Sequence, residues 1–245
     1  MKQYLMALVA GGLLLLPGVV RADYFATVIA DAPVAYYRLD DLLGSLTAAD
    51  SSGNGLGGLY FGGVLLGQPG AFVNDADTAV LFDGSSAHVR VLSPVSNNFS
   101  IEFWMNTGVE SLTGSQTYQG TGVVWSDVGG VANDWIVGYL NNVASFFTGN
   151  PDDTINGTTP LNDGVWHHVV ATRILGGEKN LYVDGRLENT GFTNSNLLTA
   201  NPIIEIGGNT LDRRYFTGGL DEVAIYTAEL TPAQVLAHYN AGLGR

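Results

Sequence analysis

The sequence predicts an all-β fold: two antiparallel sheets packed as a sandwich, with a short C-terminal helix. Three observations carry that expectation. Short apolar runs recur roughly every ten residues with Gly, Asn, Asp and Pro between them, the rhythm of strands and turns in a sandwich. The 33 glycines suit many tight turns, since a residue without Cβ enters the left-handed region freely. The run 166–173 alternates, with Trp166, His168, Val170 and Thr172 on one face and His167, Val169, Ala171 and Arg173 on the other. That is the two-residue period of a strand.

Residues 24–30 read as a short helix or an extended arm, ended by Pro33, because the residue before a proline is pushed out of helical geometry. Residues 34–39 form the first strand. The Gly- and Ser-rich stretch 40–70 is a long loop with short strands near 59–61 and 64–66. Strands at 79–82 and 88–92 flank the turn Asp83-Gly84. In 99–106, Phe99, Ile101, Phe103 and Met105 share one side, and Glu102 and Trp104 lie on the other. Runs 122–126, 135–140 and 143–147 are strands, and Asn150 to Asp153 and Asn156-Gly157 mark loops. The run 166–173 begins a three-stranded meander broken at Gly176-Gly177 and Asp184-Gly185. Asp-Gly supplies the two positive φ angles of a type I′ hairpin turn. Strands at 203–206 and 221–226 follow. Thr231 caps a final helix with Pro232 at its first position, Val235, Leu236 and Tyr239 on its apolar face, and Gly242 at its end.

Several of these runs also carry a resemblance. Trp166-His167-His168-Val169-Val170-Ala171 followed by Leu181-Tyr182-Val183-Asp184-Gly185 resembles the centre of the laminin-G-like, concanavalin-A-like jelly-roll domains of secreted bacterial proteins. Further matching motifs stand in the family's order. They are Val34-Ala35-Tyr36-Tyr37-Arg38-Leu39-Asp40, Asp50-Ser51-Ser52-Gly53-Asn54-Gly55, Val80-Leu81-Phe82-Asp83-Gly84, Phe99-Ser100-Ile101-Glu102-Phe103-Trp104 and Gly219-Leu220-Asp221-Glu222-Val223-Ala224-Ile225-Tyr226. Tyr37 stands where a Trp is frequent and Asp41 where a Glu is frequent. The resemblance implies a jelly roll across most of the chain. It leaves function open, because this fold hosts sugar binders, adhesins and enzymes.

Residues 1–22 read as a signal peptide. Lys2 precedes an apolar run from Tyr4 to Leu16, and Val20-Arg21-Ala22 supplies the small residues of a cleavage site. The run is short for a span of about 20 residues. Residues 23–245 then form one jelly-roll domain, exported to the extracellular space or cell surface. Net charge is −13. Without Lys2 and Arg21 it is −15, from eight basic and 23 acidic residues. That disfavours nucleic acid and anionic membranes as partners, since both need basic patches. With no cysteine, disulfides and thiol chemistry are excluded.

The resemblance implies a structural calcium in some members. Asp50, Asn54 and Asp221 are the matching candidate ligands, with Asp40 a further one. The alternative for Asp50 is a solvated Asx turn, and for Asp221 an acidic edge residue. An EF-hand is rejected, because the loop's twelfth position holds Phe61 instead of glutamate. His167 and His168 point to opposite faces and do not share a ligand. With the resemblance, one is expected to be buried and hydrogen-bonded and the other surface-facing. Enzyme activity is not expected. Glu102 is isolated, Asp221 and Glu222 point apart, and no strand carries the alternating acids of glucan-cutting relatives.

Sugar binding needs an aromatic ring to stack on a pyranose, with amides and carboxylates for its hydroxyls. Trp135 and Tyr139 on one strand face, flanked by Asp134 and Asn141, with Trp125 nearby, offer that mixture. The alternative is that these rings fill the core. Trp104 and Trp166 belong to the core. The expected function is a secreted, non-catalytic domain that binds a polysaccharide or glycoconjugate. The rivals are an extracellular protein-interaction domain without sugar affinity and a glycoside hydrolase.

Overall fold

The computed structural model describes residues 23–72 and 76–244; residues 1–22, expected as a signal peptide, lie outside them. Two eight-stranded antiparallel sheets face each other. The first runs in the order Arg186–Phe192, Glu178–Val183, Trp166–Arg173, Phe99–Asn106, Thr217–Tyr226, Thr78–Asp83 and Leu65–Pro69, with Ala35–Tyr37 also paired to Thr217–Tyr226. The second runs Asp153–Asn156, Val143–Thr148, Trp135–Leu140, Thr121–Ser126, Ile203–Ile206, His88–Leu92, Gly58–Phe61 and Thr47–Ala48. The predicted meander sits in the first sheet. At its turn Asp184 and Gly185 have φ of 50° and 74°, the geometry the Asp-Gly pair anticipates. Asn141 and Asn142, at φ of 52° and 65°, close a second two-residue hairpin, since asparagine tolerates the left-handed region better than most residues.

The main core lies between the sheets and holds Phe99, Ile101, Phe103, Trp135, Val137, Tyr139, Phe146, Val169, Ala171, Ile204 and Ile225. The outer face of the first sheet is also covered. Helix Tyr24–Ala30, capped by the Asp23 carboxylate accepting from Phe25 N–H at 3.1 Å, settles the open N-terminal reading in favour of helix. Helix Pro232–Gly242 carries a reciprocal capping box between Thr231 and Gln234. Together the helices bury Tyr24, Val28, Val235 and Ala241 against Tyr36, Trp104, Val170, Tyr182, Ala224 and Tyr226. The strand Asp153–Asn156 stands where a loop was expected; it pairs with Val143–Thr148 from Thr148↔Asp153 to Ser145↔Asn156. No helix among the described residues is long and apolar enough to cross a membrane.

Candidate functional site

Three buried or half-buried acids meet on the first sheet. One ligand oxygen each from Asp77, Asp221 and Glu222 lies within 4.8 Å of the others. Adjacent strand residues should point apart, and a bulge is why these do not. The pairing of Thr217–Tyr226 with Phe99–Asn106 passes from Asp221↔Trp104 to Ala224↔Glu102. Two residues, Glu222 and Val223, therefore stand opposite one. Glu222 takes φ of 53°, and the bulge re-aims its side chain. The expectation that Asp221 and Glu222 diverge is thus corrected.

Arg38 bridges the group, with Nη2 at 2.8 Å from Asp77 Oδ2 and Nε at 3.3 Å from Glu222 Oε1. The Tyr36 hydroxyl donates to Glu222 Oε2, and Ala71 N–H donates to Asp221 Oδ2 at 2.8 Å. Asp221 Oδ1 is buried and accepts no hydrogen bond. Asp77 and Glu222 are also hydrogen-bonded to each other through their side chains, and Arg38 lies 3.4 Å from Asp40 as well. Burial pushes all three carboxyls above their ordinary range, and mutual repulsion adds to it for Asp221 and Glu222.

Asp50 and Asn54 do not join this group. Asp50 Oδ1 accepts from Tyr36 and Ser52 N–H, and Oδ2 from Leu56 N–H, each at 2.9 Å. Asn54 Nδ2 donates to the carbonyl of Val34 at 3.1 Å. This is an Asx turn pinning the first strand. Three N–H dipoles aimed at the Asp50 carboxylate supply the positive charge that a cation would otherwise bring.

Glu102 is far from isolated. Fully buried, it accepts from Tyr24 Oη at 2.9 Å, Tyr226 Oη at 2.8 Å, His168 Nε2 at 2.7 Å and His238 Nδ1 at 3.0 Å. His238 Nε2 in turn meets Asp31 Oδ2 at 2.9 Å. Burial alone would raise the Glu102 carboxyl, but the His238 charge and the two histidine hydrogen bonds hold it below the usual range. This network fastens both helices to the sheet. Both His167 and His168 are buried, against the expectation of one surface-facing ring: His167 sits between Asp184, at 2.8 Å, and Asp163, at 3.2 Å.

The stacking platform is corrected. Trp135 and Tyr139 are 0% and 2% exposed and belong to the inter-sheet core. Trp125 is buried on the opposite face with Ile136 and Phe147, beneath Tyr118. Strand Trp135–Leu140 is buried on both sides, so alternation could not reveal a solvent face. Asp134 is buried too; burial and its contact with the Asp127 carboxyl push it up to about 7. Asn141 is exposed, but its amide exchanges hydrogen bonds with Gly114 O at 2.8 Å and Gly114 N at 3.1 Å, which fixes a loop. Trp104 is buried as expected, under the helices.

A cavity of about 250 Å³ opens between the 107–112 loop and the hairpin that pairs Gly208–Asn209 with Arg214–Tyr215. Its walls include Thr107, Glu110, Thr121, Tyr139, Arg214 and Tyr215. The walls are tied down. Thr107 Oγ1 donates to Thr217 O at 2.8 Å, and Tyr139 Oη to Val109 O at 2.9 Å. Glu205 accepts from Thr210 N and Oγ1, both at 2.7 Å. Of the predicted binding residues, Tyr139 is the one that lines this cavity. Strands of two residues each gave the hairpin no alternating signal in the sequence.

Comparison with known proteins places this arrangement. Residues 76–236 match the family Laminin_G_3, described as the concanavalin A-like lectin/glucanases superfamily. The chain belongs to that family. No curated protein sequence matches it. Similar solved structures include the binding domain of botulinum neurotoxin DC in complex with SialylT, at 18% identity and TM-score 0.66, covering 87% of this chain and 52% of that one. The same toxin domain in complex with rat synaptotagmin II matches at 19% identity and TM-score 0.64, covering 87% and 52%. The binding domain of Paraclostridial Mosquitocidal Protein 1 matches at 14% identity and TM-score 0.62, covering 87% and 53%. The chain spans about half the length of these domains. At such identities the likeness is one of fold.

The calcium that this laminin-G-like family implies can be tested against the residues present. Asp77, Asp221 and Glu222 offer oxygen donors only, the set a hard divalent cation takes. Asp221 Oδ1, buried and without a donor among the described residues, is a free coordination position. The residues fit.

Proposed function

We propose that this chain is a secreted, non-catalytic glycan-binding domain that takes its ligand in the cavity between the 107–112 loop and the 208–215 hairpin. The observation that carries this reading is the cavity itself: preformed, held by hydrogen bonds through both walls, and lined by hydroxyls, a carboxylate, guanidinium groups and the half-buried Tyr215. Convergent polar groups in a concave site fix a ligand's orientation. The reading includes export, with N-terminal sequencing of released protein expected to begin at Asp23. It also includes one calcium ion on Asp77, Asp221 and Glu222, neutralising buried charge and so stabilising the sheet.

The test is a glycan array probed with the exported protein and with Thr121→Trp, which fills the cavity. Binding to a defined glycan class by the parent and its loss in the variant are expected. Equal binding by both would remove the cavity from the account. A second reading, a protein contact without sugar affinity, has its own support. Leu42, Leu43 and Leu46 are 86%, 80% and 76% exposed, and clustered apolar exposure marks interaction surfaces. Binding to no glycan would favour it.

A further inference from the structure

We infer that the cavity between the 107–112 loop and the 208–215 hairpin binds an anionic sugar unit, with Arg214 and Arg213 taking its carboxylate or sulfate group. The inference rests on the glycan reading above and names the class of glycan.

Four basic side chains are engaged within the fold. Arg38 pairs with Asp77 and Glu222, Arg90 with Glu205 at 2.9 Å, and Lys179 with Asp153 at 2.8 Å. Arg173 donates to Thr193 Oγ1 and to the carbonyls of Asn97, Asn194 and Asn196. Arg213 and Arg214 both line the cavity, and among the described residues neither has an ion pair or a side-chain hydrogen bond, as is also true of the exposed Arg186. Arg214 Nη1 is buried with no acceptor. A buried charged donor left unmatched is costly. Acids outnumber bases 23 to 10 in this chain, so a shortage of carboxylates does not explain two unpaired guanidiniums. Glu110, across the cavity, forms no salt bridge with either.

The hairpin is built to hold this arrangement. Asn209 Oδ1 accepts from Leu211 N–H at 2.8 Å and Asp212 N–H at 3.2 Å. Glu205 clamps Thr210. Arg213 is held at φ of 57°, which an arginine adopts only where its surroundings impose it. A guanidinium matches the planar oxygens of a carboxylate or two oxygens of a sulfate with paired N–H donors. The size is informative as well: about 250 Å³ lies below the roughly 300 Å³ at which drug-sized sites begin, so one sugar ring fills it. The Thr121 and Glu110 side chains remain for the ring hydroxyls.

The test uses calorimetric titration of the exported protein at low and moderate salt. The probes are oligogalacturonides, sulfated galactan oligosaccharides, and neutral galactan oligosaccharides of the same length. Expected is at least about a tenfold preference for an anionic probe over its neutral counterpart, weakening as salt screens the charge. R214Q should lose that preference with an unchanged melting temperature, and R186Q, which removes a surface charge away from the cavity, should keep it. Carboxylate-only or sulfate-only binding identifies the group. Neutral and anionic probes bound equally would overturn the charge assignment and leave the glycan reading standing. No probe bound would overturn both. Equal losses in R214Q and R186Q would reduce the effect to bulk charge and overturn the site.

Discussion

Two groups of buried acids sit on neighbouring strands of one sheet, and the fold treats them in opposite ways. Around Glu102, two tyrosine hydroxyls and two imidazole nitrogens converge on the two carboxylate oxygens. Around Asp77, Asp221 and Glu222, the Arg38 guanidinium, the Tyr36 hydroxyl and the Ala71 N–H reach the carboxylates, and Asp221 Oδ1 has no donor among the described residues. Both Glu102 and Asp221 are fully buried. Yet the Glu102 carboxyl is held below its ordinary range and the Asp221 carboxyl is pushed above it. Burial raises a carboxyl in each case; the donors decide the sign. A completed network is a structural rivet. The other group leaves a buried carboxylate oxygen open, where we propose a cation.

The largest effect that sharpens this comparison is expected at the rivet. Glu102→Ala strands His168 and His238, and with them the anchors of both helices. Removing one partner of a buried ion pair costs about 3–5 kcal/mol, which chemical denaturation would read. A loss below about 1 kcal/mol would show that the helices hold without it.

A pH series tests the same network with smaller effect. His238 is pulled down by burial and raised further by the Glu102 charge, with Asp31 adding to the rise, for a net increase above 6.5. Its stabilisation is therefore complete below 6.5 and lost as pH rises through the folded value. Glu102 works the other way: its contribution is present above 4.5 and lost as pH falls through its depressed value. The titratable groups facing the pair are His168, Asp31, Tyr24 and Tyr226. The melting-temperature gap between the parent and His238→Asn should be widest between pH 4.5 and 6.5 and shrink above. A gap constant to pH 9 would show that His238 is neutral in the fold.

Much of this architecture was readable from residues alone. The alternation at 166–173, the Asp-Gly turn, and Thr231 with Pro232 each encode local geometry, and each stands where expected. The site was less readable, for physical reasons. Two helices roof the first sheet, and strand Trp135–Leu140 is buried on both faces, so a two-residue period could not tell core from surface. The platform on Trp135 and Tyr139 failed on that point. The bulge that brings Glu222 beside Asp221 is a backbone event with no residue signature, since Glu222 is not a glycine. Asp77 carries no motif, and His238 meets Glu102 only after the chain has closed. Only Asp221 was both predicted as a ligand and found in the cluster. One signal was available and unused: Arg213 and Arg214 are adjacent bases in a strongly acidic chain.

We propose that a divalent cation completes the Asp77, Asp221 and Glu222 cluster. The most direct test is the melting temperature of calcium-loaded protein before and after chelation, beside Asp221→Asn. Saturation at a hundred times the dissociation constant contributes about 2.7 kcal/mol, roughly 5–10 °C for a chain of this length. The parent should fall by that amount on chelation and recover with calcium, while Asp221→Asn should show no response to either. A parent verified to carry calcium that melts at the same temperature after chelation, or an Asp221→Asn variant that responds as the parent does, would contradict the claim.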